Sequence, residues 1–124
     1  MILTALSVAL GGAIGATLRW LTGLLTLRVM GQGFPWGTVT VNILGSFLMG
    51  VLVVALADRG GLRAAPFLMT GLLGGFTTFS AFSLDAVALL ERGDLSLAAA
   101  YVGGSVLLGL AGLVLGMAMT RVMI

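Results

Sequence analysis

The stretch from Gly74 to Ser83, GGFTTFSAFS, places hydroxyl and aromatic side chains at the centre of a long apolar run. Two further polar side chains lie inside apolar runs: Arg19, in GGAIGATLRW, and Asn42, in TVTVNILGS. Amide and hydroxyl groups offer N–H and O–H donors to a desolvated anion, and the edge of a phenylalanine ring carries a positive partial charge. Carbonyls freed at a break in a membrane helix offer ligands to a cation. These residue types indicate ion binding inside a membrane.

The composition excludes most other functions. Of the 124 residues, 60% are hydrophobic and only 8% are charged, whereas a soluble domain has about 25% charged residues. The chain has no lysine, histidine or cysteine, which excludes disulfides, thiolate metal sites, imidazole bases and Schiff-base chemistry. We therefore predict an integral membrane protein that is not an enzyme. The arginines are scattered rather than clustered, so nucleic acid is not predicted as a partner.

The apolar runs predict an all-α membrane protein of one domain, since a span needs about 20 apolar residues and the strict alternation of a transmembrane barrel is missing. The first run has no basic residues before its apolar part, so it is predicted to be a retained helix. We predict four transmembrane helices, at approximately 2–29, 36–57, 64–90 and 97–120, with a break near the middle of the third.

Arginine placement gives almost no orientation bias. Four spans put the N-terminus, the second turn and the C-terminus on one side of the membrane. That side holds Arg59, Arg63 and Arg121, and the other holds Arg28 and Arg92, with Arg19 leaning towards it inside the first helix. Either the chain simply has few charges, or it inserts in both directions and pairs antiparallel with itself. Pairs of small residues four apart, such as Gly11 with Gly15, predict close helix packing.

Each polar feature leaves two interpretations open. Arg19 shares a helix face with Gly11 and Gly15 and points into the bundle, or its side chain reaches back to the interface. Asn42 donates to an anion, or it joins neighbouring helices by hydrogen bonds. The Gly74–Thr78 segment is a break whose carbonyls bind a cation, or it is a glycine kink.

Taken together, three segments resemble the Fluc (CrcB) family of small fluoride channels. They are GGAIGATLRW in the first helix, PWGTVTVNILGSFLMG in the second and GLLGGFTTFSAFS in the third. They occur in order, at the family's spacing, over nearly the whole chain.

The resemblance implies a fluoride channel in the cell membrane, formed by an antiparallel dual-topology homodimer with a structural sodium ion at its centre. It implies that the carbonyls of Gly74 and Thr77 bind the sodium. It also implies a set of fluoride-path residues: Phe79 and Phe82 as pore rings, Asn42 as the conducting asparagine, Arg19 in the vestibule, and Tyr101 and Ser105 as hydroxyl donors.

The chain departs from the family pattern at a few positions. Ala81 stands where a hydroxyl residue is common, Asp85 replaces a glutamate, and Gly109 and Leu113 shorten the hydroxyl series. The main alternative is a small dual-topology proton-coupled multidrug exporter, which needs an embedded carboxylate. Asp85 is its only candidate, and we expect it near the membrane interface. A scaffold subunit held by glycine packing would leave Asn42 without a purpose.

Overall fold

The computed structural model describes all 124 residues and contains helices only. Four helical segments are long and apolar enough to cross a membrane, as judged by length and composition. They are α1 (Ile2–Met30), α2 (Trp36–Asp58), the third span (Gly61–Glu91) and α5 (Leu95–Met123). These bounds lie within three residues of the predicted ones at every end. The protein is therefore a multi-pass membrane protein with very short loops.

The third span is built from several pieces. A 3₁₀ turn (Gly61–Ala64) leads into a π-helix (Pro66–Leu73), which continues as the short α3 (Gly74–Phe76). The chain then leaves the helix at Thr77, whose φ and ψ are −82° and 161°, and becomes helical again in α4 (Ser80–Glu91). We call Thr77–Phe79 the break.

The predicted position of the break was wrong at its first end, because Gly74 and Gly75 are helical. Gly75 and its neighbour Gly71 serve close packing instead. A Cβ on Gly75 would lie 2.6 Å from the Gly12 carbonyl oxygen of α1, and one on Gly71 would lie 2.7 Å from that of Val8. Gly11 and Gly15 of α1 approach the same segment from the other side. The helix glycines therefore allow two backbones to touch, as small residues do in membrane bundles.

The break also lets the third span change its neighbour. Before it, the π-helix and α3 pack against α1, while after it α4 packs against α5. The second close pair is α2 with α5, where Gly50 and Gly116 each leave no room for a Cβ against the backbone of the opposite helix. A straight third helix could not follow both α1 and α5.

Two loops on the same side of the bundle are joined by Arg92. Its guanidinium donates to the Gly33 carbonyl at 2.9 Å and forms an ion pair with Asp94 at 2.9 Å. This links the α1–α2 loop to the turn before α5, where Gly93 has a φ of 82°. The α1–α2 loop is thereby fixed over the end of α4.

Gly15→Ala tests the backbone contact between α1 and the third span. Its Cβ would collide with the Leu72 carbonyl and lie 2.8 Å from the Phe76 nitrogen, so we expect a loss of about 1–3 kcal/mol from overpacking. Gly23→Ala is the matched control on the same helix, because its Cβ meets nothing within 4 Å. Thermal unfolding in detergent, followed by size-exclusion chromatography, should show a lower midpoint for Gly15→Ala only. Equal midpoints would contradict the close approach.

Candidate functional site

The side-chain amide of Asn42 pairs with both backbone groups of Thr78. Its Nδ2 donates to the Thr78 carbonyl at 2.8 Å, and its Oδ1 accepts from the Thr78 N–H at 2.7 Å. In an uninterrupted α-helix the Thr78 N–H would donate to the Gly74 carbonyl four residues earlier. Asn42 therefore takes over the backbone bonds that would otherwise continue the helix. Of the two interpretations, the structure shows interhelical bonding, with one Nδ2 proton remaining for another acceptor.

The residues around Asn42 fit this pairing. Gly45, one turn along α2, leaves the room that the Thr77 methyl group fills. The Thr77 hydroxyl donates to the Leu73 carbonyl at 2.8 Å, the same oxygen that accepts the Thr77 N–H. The Thr78 hydroxyl accepts from the Ala81 N–H at 3.2 Å and so caps the first turn of α4, as threonine commonly does. Both threonines thus close the helix ends that flank the break.

Arg19 points into the bundle rather than back to the interface. Its side chain is partly buried, and its Nη1 donates to the Thr77 carbonyl at 3.2 Å. Arg19 also borders a cavity of about 400 Å³ together with Thr38, Thr78, Ala81 and Asp85. We call this the vestibule cavity. A fixed cation on its wall favours anions inside it.

The break opens onto a separate cavity of about 390 Å³, lined by Asn42, Ser46, Gly74, Thr77 and Phe79 among others. We call this the break cavity. The Gly74 carbonyl has lost its helical donor to Asn42, so it is free to bind another partner. The Thr77 carbonyl accepts only the single bond from Arg19 noted above and has a second lone pair. Both predicted cation ligands therefore border one cavity and have unused acceptor capacity.

Phe79 and Phe82 begin a row of aromatic rings. Phe79 is 78% exposed on the surface of the protomer, and its ring centroid lies 5.7 Å from that of Phe82. The Phe82 ring lies 5.2 Å from the ring of Tyr101, which is fully buried. Phe34, in the α1–α2 loop, meets Tyr101 edge-on at 5.6 Å. The row leads from the break to the loop that Arg92 fixes.

The hydroxyl of Tyr101 donates to the Asp85 carboxylate at 3.1 Å, and the Thr38 hydroxyl donates to the same oxygen, Oδ2, at 2.7 Å. Asp85 is partly buried among three helices. Ser105 lies one turn beyond Tyr101 on α5. It is 8% exposed, and its Oγ is buried without a hydrogen-bond partner.

Residues 6–117 match the family model described as CrcB-like protein, Camphor Resistance (CrcB). The chain belongs to this CrcB family. It is 66% identical over 121 residues to a protein of Cereibacter sphaeroides named fluoride-specific ion channel FluC, covering 98% of this chain and 97% of the relative. Proteins of the same name from Ruegeria sp. (strain TM1040) and Agrobacterium fabrum are 57% and 52% identical, over 98% and 92% of this chain. The family expected from the three sequence segments is confirmed.

In this CrcB-family chain, the predicted site residues fall into two groups. Arg19, Asn42, Gly74, Thr77 and Phe79 meet at the break. Phe82 and Tyr101 lie in the aromatic row towards the α1–α2 loop, and Ser105 lies one turn beyond Tyr101 along α5. Thr38 was not predicted as a partner of Asp85. Its four-residue spacing from Asn42 places both side chains on one face of α2, which was a usable signal.

Asn42→Ala tests the pairing that opens the break. It removes both partners of Thr78, and each unsatisfied buried polar group costs about 1–3 kcal/mol, so we expect a clearly lower unfolding midpoint in detergent. Ser46→Ala is the matched control, one turn along the same helix face and without a hydrogen bond from its hydroxyl in the structure. An Asn42→Ala protein as stable as Ser46→Ala would show that the break persists without the amide.

Proposed function

We propose that the protein is a fluoride-selective ion channel that lets cytoplasmic fluoride leave across the cell membrane. The observation that carries this is full-length similarity, 66% identity over 98% of the chain, to a relative named fluoride-specific ion channel FluC. The polar side chains of Arg19 and Asn42 and the aromatic row from Phe79 to Tyr101 support it, because they lie close together in an otherwise apolar helix bundle. No catalytic group is required for a passive leak.

The physical benefit follows from acid–base chemistry. Fluoride enters a cell as its neutral weak acid and ionises in the less acidic cytoplasm, where the anion is trapped. A pore specific for the anion lets it leave, and an inside-negative potential adds about 2.3 kcal/mol per charge for each 100 mV. Lowering internal fluoride lowers its toxicity without any energy source of the protein's own.

The route runs along the aromatic row and the donors beside it. Arg19 holds positive charge on the wall of the vestibule cavity, and the free Nδ2 proton of Asn42 offers a donor at the break. The positive edges of Phe79 and Phe82 attract an anion without a full charge. Tyr101 and Ser105 add hydroxyls along α5. Several weak sites in series suit an ion that must bind and leave again.

The working unit is an antiparallel homodimer. In one protomer the break lies beside the exposed Phe79, and lipid cannot satisfy the open backbone groups there. A second copy can cover that surface. The nearly balanced arginine distribution supports insertion in both orientations, and two copies in opposite orientations bring their breaks together on a two-fold axis.

A structural sodium ion fits the centre of this dimer. The Gly74 carbonyl lacks a helical donor, and the Thr77 carbonyl has spare acceptor capacity and borders the same cavity. Carbonyls of both residues, contributed by both copies, would hold the ion. Its positive charge would satisfy backbone oxygens that lipid cannot.

Phe79→Ile and Phe82→Ile test the role of the rings. Both changes keep apolar volume but remove the positive ring edge, so we expect fluoride efflux from proteoliposomes to fall at least about tenfold. A fluoride electrode follows the release, chloride-loaded vesicles give the selectivity, and Phe67→Ile, away from the route, is the matched control. Size-exclusion chromatography should show an intact dimer in every variant. Dimer loss would show that the rings are packing residues.

If well-folded wild type released no fluoride, assays of proton-coupled export at Asp85 would be needed instead.

Thr77→Ala separates a side-chain ligand from a backbone ligand for sodium. The substitution removes a hydroxyl already bonded to Leu73 but keeps the carbonyl. We therefore expect efflux to remain within about threefold of wild type, and to be lost when both proteins are dialysed for long periods into sodium-free buffer. Metal analysis of the washed dimer gives an independent readout. A Thr77→Ala dimer that retains no sodium while wild type does would contradict the backbone site.

A further inference from the structure

Asp85 is a carboxylate in the membrane-spanning part of the chain that has no cationic partner. The structure has one ion pair, between Arg92 and Asp94. Asp85 instead receives two neutral hydroxyl donors, from Thr38 at 2.7 Å and Tyr101 at 3.1 Å, both on Oδ2. An ionisable residue inside a membrane bundle is costly and points to function.

The hydroxyl protons are limited in number. Threonine and tyrosine each have one O–H proton, and in this structure both are used by Asp85. While these bonds exist, neither hydroxyl can donate to a passing anion. The carboxylate and a mobile anion therefore need the same two donors.

The position of Asp85 also brings its carboxylate close to where a mobile anion would pass. It borders the vestibule cavity and a second cavity of about 260 Å³ under the α1–α2 loop, which Gly33, Phe34 and Arg92 also line. The ring of its partner Tyr101 packs against the ring of Phe82 in a tilted arrangement. An anion that passes from the Phe82 ring towards the loop therefore arrives at the donors that Asp85 holds.

We propose that Asp85 is a built-in competitor that sets how tightly the channel holds its anion. This inference rests on the proposed function. The carboxylate keeps the Thr38 and Tyr101 hydroxyls oriented by accepting their hydrogen bonds. When fluoride arrives, the two hydroxyls donate to the ion instead, and they donate to Asp85 again after the ion has left. Its negative charge keeps fluoride from binding tightly at this point. Asp85 acts through the two donors and is a positioning residue rather than a ligand of the ion.

The experiment compares Asp85→Ala and Asp85→Asn with wild type, using Glu91→Gln as the control for loss of an exposed charge on the same helix. Fluoride efflux from proteoliposomes is measured against fluoride concentration, and fluoride binding to the detergent-solubilised dimer is measured by titration calorimetry. Removing the carboxylate frees both donors, so in Asp85→Ala the half-saturating fluoride concentration should fall at least about tenfold. The maximal rate should fall too. Asp85→Asn keeps an acceptor oxygen without the charge and should shift less, while Glu91→Gln should match wild type.

Tyr101→Phe in the Asp85→Ala background provides the decisive comparison. If the gain in affinity comes from freed donors, losing one of them should reverse most of that gain. Equal affinities in Asp85→Ala and Asp85→Asn would overturn donor competition, and so would unchanged affinity in both. Asp85→Asn is nearly isosteric and keeps the test available if Asp85→Ala does not fold. No efflux from wild type would instead defeat the channel proposal, and calorimetry would still report the competition.

Discussion

Each backbone N–H or C=O left without a partner in a bilayer costs several kcal/mol, and the amide of Asn42 is what makes a helix break possible under that constraint. It supplies an acceptor for the Thr78 N–H and a donor for its carbonyl. One side chain on α2 thus replaces two backbone bonds of the third span. As a consequence, the Gly74 carbonyl, four residues earlier, no longer accepts a helical hydrogen bond from the Thr78 N–H. Asn42 therefore satisfies the backbone groups of Thr78 but leaves the Gly74 carbonyl open, and this is where we propose that a cation binds.

The glycines make sense as the second half of this arrangement. Gly11, Gly15, Gly71 and Gly75 bring α1 and the π-helical segment into backbone contact, which holds the first half of the third span in place without help from the second. Gly45 leaves space for Thr77 as the chain turns. The span can then change its packing partner from α1 to α5 at the break. Packing against α1 holds the first half of the third span in place. Without it, the segment around Thr78, which has lost its helical bonds, would be free to straighten.

Composition and residue type were enough to predict four spans, the membrane class and the residues that gather at the break, since polar side chains in apolar runs stand out at once. The exact break was not predictable from local sequence. Two adjacent glycines suggest weakness at Gly74, but tertiary bonding from Asn42, 36 residues away, decides that the helix ends at Thr77. The hydrogen-bond partners of Asp85 were not predictable for a similar reason. The hydroxyls that donate to it come from α2 and α5. Such long-range partners leave no periodic signal.

The polar groups along the proposed route share one electrostatic character. Apart from Arg19 at the vestibule cavity, the attractive groups are neutral: an amide, ring edges and hydroxyls. A full positive charge in a dry site would hold a small anion too strongly for rapid release, because Coulomb interactions grow as the effective dielectric constant falls. The attraction of Arg19 for an anion is also reduced, because its guanidinium donates to the Thr77 carbonyl and lies beside a cavity that Asp85 also borders. In the proposed channel, attraction is thus spread over many weak donors and opposed by a carboxylate, which is the balance that conduction requires.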